Sequence, residues 1–216
     1  MRLAHDVSNP DARAAFPAGT VLHNPVTREY ARIVEHTAER VVGELLAAPG
    51  SAVAGAHRHP GQEERFEVLE GTMGYRRGDV RGELRPGESV LVPAGVVHDW
   101  WNAGSESLWA RVTLTPPKSF VAMIAGAFGL AALGRTNAKG MPVLLDAALL
   151  AEAFGDEIIF ARPPRAVQRV LAATVAPLAR RRGRSVTGED VVRAALMAPE
   201  RWPLPLESRP GGQAVA

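Results

Sequence analysis

The sequence contains no cysteine, which excludes disulfides, zinc fingers and thiolate catalysis and leaves nitrogen and oxygen to ligate any metal. Lysine is nearly absent too, with Lys118 and Lys139 alone, so the cations are arginines. Cations and acids almost balance, at 25 Lys+Arg against 23 Asp+Glu, and positive charge clusters only at Arg180-Arg181-Arg182-Gly183-Arg184. A nucleic-acid face needs a broader basic patch than this, so a DNA-binding module is disfavoured. Long apolar runs are also missing. The longest stretch without a charge, residues 119–134, falls short of the roughly 20 apolar residues of a spanning helix. The N-terminal residues reach Asp6 and Asn9 with no apolar stretch, so no secretory signal is expected and the cytoplasm is the default location. What remains is ordinary globular composition, 46% hydrophobic and 22% charged over 216 residues. That length suits one generous domain or a domain with an appended module.

The texture of the chain changes three times. Residues 1–20, with Pro10, Pro17 and Gly19, read as an N-terminal arm with little structure of its own. Residues 21–117 carry short apolar runs, at 39–47, 66–69, 89–92 and 108–114, several of which alternate with polar residues. Turn signals punctuate them at Pro49-Gly50, Pro60-Gly61, Gly71, Gly78-Asp79, Pro86-Gly87, Pro93-Ala94-Gly95 and Asn102-Ala103-Gly104. Short strands at regular turn spacing predict an all-β barrel or sandwich. Pro116-Pro117 ends that pattern, since proline has no amide to donate to a ladder. Residues 118–198 then take on helical spacing, with helices expected over 119–133, 143–154, 166–182 and 188–197. Pro163-Pro164 opens the third, and Thr187 with Asp190 is placed like a capping pair for the last. Residues 199–216, with four prolines and Gly211-Gly212, read as a flexible tail.

Chemistry concentrates in two short contexts. The first is His57-Arg58-His59-Pro60-Gly61-Gln62-Glu63-Glu64, and the second runs from Gly87 through Pro93 and Gly95 to His98 and Asn102. Two histidines one residue apart on a strand share a face, because the side-chain period is two. A tight turn at Pro60-Gly61 returns the chain so that Glu64 enters the same space, and His98 completes the set. Parity selects Glu64 over Glu63: Glu64 shares a face with Phe66 and Val68, whereas Glu63 aligns with Arg65 and Glu67. His5, His23 and His36 stand alone and receive no role.

These spacings resemble the cupin superfamily. Its first motif reads G, five residues, H-x-H, three or four residues, E, six residues, G; His57, His59, Glu64 and Gly71 fit it from the first histidine on. Its second reads G, five residues, P-x-G, two residues, H, three residues, N; Gly87, Pro93, Gly95, His98 and Asn102 match every fixed position. One departure is that Gly50 precedes His57 by six residues rather than five, which a bulge absorbs. The resemblance covers roughly residues 39–115. It implies a mainly β fold, a cupin-type jelly-roll barrel, here followed by three or four helices. It also implies a metal ion held by His57, His59, Glu64 and His98.

Three imidazoles and one carboxylate suit a divalent transition metal (Fe, Mn, Ni, Co, Cu or Zn) with positions left open. Such a site serves a dioxygenase when it binds O₂ beside the substrate. With a redox-silent ion it serves an isomerase or cyclase through Lewis-acid polarisation. A metal-containing ligand-binding or sensor protein is the reading without turnover. Phe66, Val68 and Trp100 share the inward parity of the ligands, and Met73 and Tyr75 follow on the next strand. These five define an apolar, aromatic-lined mouth for a small hydrophobic or aromatic molecule. Glu67, Asp99 and Arg111 read as solvated strand residues. The apolar faces of 119–133 and 143–154 need cover, from the barrel or across a homodimer interface, and a membrane-surface role for the arginine cluster is a lesser alternative.

Overall fold

The computed structural model describes residues 10–203 and places strands before helices, as the change of period at Pro116-Pro117 predicts. After α1 (Pro10–Ala15) come β1 (Val21–Asn24), β2 (Glu29–His36), β3 (Val41–Ala47), β4 (His57–Arg58) and β5 (Glu63–Glu70). They are followed by β6 (Met73–Arg77), β7 (Val80–Leu84), β8 (Ser89–Val92), β9 (His98–Asn102) and β10 (Leu108–Thr115). Beyond the prolines lie α2 (Phe120–Ala132), α3 (Leu144–Phe154), β11 (Ile159–Phe160), α4 (Arg165–Arg181), α5 (Glu189–Ala195) and β12 (Leu196–Met197).

Alternation sets which face of each strand is buried. In β5, Glu64, Phe66 and Val68 are buried while Glu63 and Arg65 are exposed; in β9, His98, Trp100 and Asn102 are buried. The strands form two antiparallel sheets, in the orders β12-β1-β2-β3-β10-β5-β8 and β11-β4-β9-β6-β7. Pairing of β3 with β10, β5 with β8 and β4 with β9, all distant in sequence, is jelly-roll topology. Leu45, Phe66, Val68, Met73, Trp100 and Leu108 fill the space between the sheets. The sheets face one another without closing into a single continuous barrel, since among the described residues no ladder joins them.

The helical segment is not a separate appendage. It adds β11 to the edge of the smaller sheet, Ile159 pairing with Arg58 and Phe160 with His57. It also adds β12 to the larger, Val21 pairing with Met197. The buried side of α2, including Val121, Ala125 and Phe128, packs on Leu22, Ile33, Val41 and Leu114 of the larger sheet. The cover that this apolar helix requires therefore comes from its own chain. Gly129 lets α2 approach α5, where any Cβ would run into the Val191 carbonyl oxygen.

Three local expectations need correction. The Thr187–Asp190 capping pair does not form: Gly188 is the N-cap, which moves Asp190 one position too early to complete it. The segment read as a tail begins with a 3₁₀ turn at Pro199–Arg201, and Trp202 is buried against Val21, Leu46 and Trp109. The Arg32 guanidinium lies 4.8 Å from the Trp202 ring centre. At the other end, Phe16 of the expected arm is buried in the core. The rest of the tail, 204–216, and the start of the arm, 1–9, lie outside the described residues.

Candidate metal centre

Strand pairing brings the two sequence contexts together. His57 of β4 and His98 of β9 are directly opposed partners in the smaller sheet. The chain turns at Pro60-Gly61 and enters β5 in the larger sheet, where inward parity aims Glu64 back at the histidines. One ligand atom from each of His57, His59, Glu64 and His98 lies within 4.8 Å of the others, and all four residues are buried. His98 Nε2 is 2.7 Å from Glu64 Oε2, and His59 Nε2 is 3.4 Å from the same oxygen.

The rings are held so that their Nε2 atoms remain for a shared ligand. His57 Nδ1 lies 3.0 Å from the Gly55 carbonyl oxygen, His98 Nδ1 3.1 Å from that of Val96, and His59 Nδ1 3.2 Å from that of Glu157. A carbonyl only accepts, so each Nδ1 is the protonated nitrogen. Backbone acceptors of this kind fix the tautomer and rotation of metal-binding imidazoles. His59 Nε2 is buried with no hydrogen-bond partner, which is costly in a protein interior unless something else occupies the site. On these grounds the residues fit a divalent cation.

The electrostatics agree. Burial pushes the His57 imidazole down to about 3, helped by repulsion from His98, so it stays neutral and free to ligate. Burial alone would raise the Glu64 carboxyl, but the facing His59 and His98 rings hold it well below the ordinary range. Burial lowers His98, yet the hydrogen bond to Glu64 outweighs it and raises this imidazole. Without a metal, Glu64 and His98 therefore stabilise each other as a buried hydrogen-bonded pair.

A cavity of about 160 Å³ opens from His57 and Glu64 between the larger sheet and α2. Its walls are mainly apolar, with Ile33, Val112, Leu114, Phe120, Met123 and Phe128 among them, and Asn24, Thr27, Glu29 and Glu44 are the polar lining residues away from the histidines. Of the five pocket residues expected from the sequence, Phe66 and Trp100 border it. Val68 and Met73 are instead fully buried between the sheets, and Tyr75 packs against that core. The reason is register: β6 lies on the far side of β9 from β4, and Val68 sits two inward positions along β5 from Glu64.

Sequence reasoning missed the share of the helical segment. The Phe120 ring centre is 6.0 Å from that of His59, and the Phe160 ring centre is 6.2 Å from that of His57. Glu157, whose carbonyl orients His59, is tied by its carboxylate to Ser119, accepting from the backbone N at 2.8 Å and from Oγ at 2.9 Å. Glu29 also lines the cavity; its shared parity with Ala31 and Ile33 was the available signal. Other charged candidates are engaged elsewhere. Asp99 pairs with Arg76 at 2.7 Å and Glu67 faces Arg111 at 3.4 Å, while Arg180 pairs with Glu152 and Arg184 with Asp146. His23 stacks on Tyr30, and His36 Nδ1 is 3.1 Å from the Phe16 carbonyl oxygen; His5 lies outside the described residues. No helix among the described residues is long and apolar enough to cross a membrane.

Comparison with known proteins matches residues 43–112 to the family described as "Cupin domain". No curated protein matches the chain. Solved structures similar in part include a conserved protein with a double-stranded beta-helix domain from Klebsiella pneumoniae, at 26% identity, with 41% of this chain and 76% of that one covered and a TM-score of 0.38. An RmlC-like cupin from Shewanella frigidimarina gives 18% identity, coverage of 47% and 88%, and a TM-score of 0.42. A cupin-superfamily sugar phosphate isomerase from Silicibacter pomeroyi gives 20%, coverage of 40% and 59%, and 0.37. The matched segment holds all four clustered side chains, and the match identifies residues 43–112 as a cupin domain.

Proposed function

We propose that His57, His59, Glu64 and His98 hold one divalent transition metal, and that the chain is a metal-dependent enzyme acting on a small, largely hydrophobic molecule in the adjoining cavity. The observation that carries this reading is the convergence of three carbonyl-fixed imidazoles and one carboxylate, within 4.8 Å, at the wall of an apolar cavity. When bound there, a redox-active ion supplies dioxygen activation, and a redox-silent one supplies polarisation of a carbonyl. The chain's own residues do the rest. Phe120 and Phe160 shield the imidazoles, and the apolar walls exclude water. With a cation bound, His98 Nε2 and Glu64 Oε2 would each offer it a ligand atom in place of their mutual hydrogen bond. No lysine or arginine is among the residues that line the cavity, so a phosphate would find no cationic partner there. This supports an apolar substrate; oxygenase chemistry is the reading we put first, with isomerisation or cyclisation as the alternative.

The test is O₂ uptake by the Fe(II)-loaded chain with a panel of small aromatic and aliphatic substrates. Consumption of O₂ together with substrate is the expected result. Turnover with Zn(II), or without O₂, would overturn the oxygenase reading in favour of Lewis-acid chemistry. Substrate binding without turnover under any metal would favour a sensor.

The role of the helical segment gives a separate expectation. Glu157→Ala frees the Ser119 anchor and loosens the carbonyl that orients His59, so metal affinity should fall roughly tenfold. Chelator competition measures this, and an unchanged affinity would show that α2 and its anchor do not support the site.

A further inference from the structure

The cavity has a second polar end. Glu29 is the first residue of β2, and inward parity with Ala31 and Ile33 turns it toward the cavity that His57 and Glu64 also line. The register separates the two ends. Glu64 pairs with Leu114, which pairs with Val41, whereas Glu29 pairs with Ala47. Val41 and Ala47 are opposite ends of β3, on the order of 20 Å apart along a strand. Between them the walls are mainly apolar.

Glu29 is only 5% exposed, and its Oε1 has no hydrogen-bond partner. Thr27 Oγ1, on the same wall, is also buried; it stands beside the Glu29 carboxyl without completing a well-formed hydrogen bond to it or to another group. Buried polar atoms are almost always satisfied, and a carboxyl left open costs stability unless it is used. No arginine or lysine lines this cavity to pair with it. Burial pushes the carboxyl up to about 8, the Thr27 hydroxyl offsetting part of the rise. At neutral pH the group is therefore mainly a carboxylic acid, with one O–H to donate and a carbonyl oxygen to accept.

We propose that Glu29, with Thr27, forms a polar subsite that hydrogen-bonds a hydroxyl or carbonyl at the far end of an elongated, otherwise apolar ligand. This specifies the substrate class of the cavity and rests on the reading that the cavity is the ligand site. It does not rest on the metal. The ligand presents one end to the histidine cluster, its apolar body to α2 and the larger sheet, and its uncharged polar terminus to Glu29. Glu29 here is a specificity residue; no bond-making step is assigned to it.

The experiment uses the full chain treated with chelator and two probes of similar shape, p-cresol and toluene, with affinities measured by titration calorimetry. In the wild type, the p-cresol to toluene affinity ratio should exceed that of Glu29→Leu by roughly five- to tenfold, the effect of one hydrogen bond. Glu29→Gln keeps a donor and an acceptor and should retain most of the ratio. Glu29→Leu should also melt at the same or a higher temperature, since it removes an unpaired buried group, whereas a structural carboxyl would leave the variant less stable. An equal ratio in wild type and Glu29→Leu overturns the proposal, as does failure of the wild type to bind either probe. Metal content reads the earlier proposal separately. A metal-free cluster beside a hydroxyl-selective cavity leaves this inference standing, while a loaded cluster beside an unselective cavity overturns this inference alone.

Discussion

His57→Ala and His98→Ala should each lose most of their bound metal while remaining folded. Each removes one imidazole of three from a cluster whose supports are backbone carbonyls, so the other ligands keep their places but the site loses a donor. The core between the sheets, built from Leu45, Phe66, Val68, Met73 and Leu108, is untouched by either change. Metal content should fall at least tenfold at a fixed, limiting concentration of free ion, the scale on which even supporting residues act. Elemental analysis beside circular dichroism measures both halves of the expectation. The two variants differ in one respect. His98→Ala leaves Glu64 without its 2.7 Å partner, so it should be the less stable of the pair when metal is absent. Full metal occupancy in either variant would contradict the ligand assignment.

The second large effect lies away from the site. Asp146 at the start of α3 is completely buried and takes three charge-assisted hydrogen bonds. Two come from Arg135, one of them from Nε at 3.0 Å, and the third comes from Arg184 Nη1 at 2.6 Å. Arg135 also donates to the Ser185 carbonyl oxygen at 3.1 Å, so one carboxylate ties together the loop after α2, the start of α3 and the segment leading to α5. Asp146→Ala leaves two guanidinium groups facing each other over an empty space. Breaking a buried pair costs about 3–5 kcal/mol, and the partial exposure of Arg184 places the loss near the lower end. Denaturant unfolding followed by fluorescence should show it. Asp146→Asn keeps an acceptor and should lose less. A loss below about 1 kcal/mol for the alanine variant would mean that the surrounding apolar cluster of Leu130, Ala148, Leu149 and Val186 holds the helices alone.

These two expectations fall on different sides of what the amino-acid order makes legible. The His57, His59, Glu64 and His98 cluster is legible because period-two alternation is strict: His57 and His59 share a face, and Glu64 separates from Glu63 by parity alone. The burial of Glu64 against the exposure of Glu63 follows that rule. The order of strands and helices is legible for the same reason, since the period changes at one pair of prolines. What escaped has no periodic signature. β11 and β12 are two residues each, too short for any alternation, yet they stitch the helical segment into both sheets. Glu157 acts on His59 through its carbonyl, a group every residue carries. Met73 and Tyr75 share the expected parity, but β6 lies beyond β9 in the sheet, and strand order is not written in any one strand. Glu29 escaped because an acid at a strand start reads as solvated, and only the packing of α2 over the larger sheet turns that position into the wall of a cavity.

The helical segment thus changes the meaning of the domain it follows. It positions Phe120 and Phe160 beside the histidines, and its Glu157 carbonyl oxygen accepts a hydrogen bond from His59 Nδ1. Part of the packing and hydrogen bonding around the histidines is therefore supplied by residues beyond Thr115.

The most direct measurement is X-ray absorption at the metal edge of the wild-type chain loaded with one equivalent of Co(II) or Zn(II). Three imidazole nitrogens and a carboxylate oxygen around the ion are the predicted shell, with one imidazole lost in His57→Ala. An ion surrounded by water oxygens, or a shell unchanged by that substitution, would contradict it.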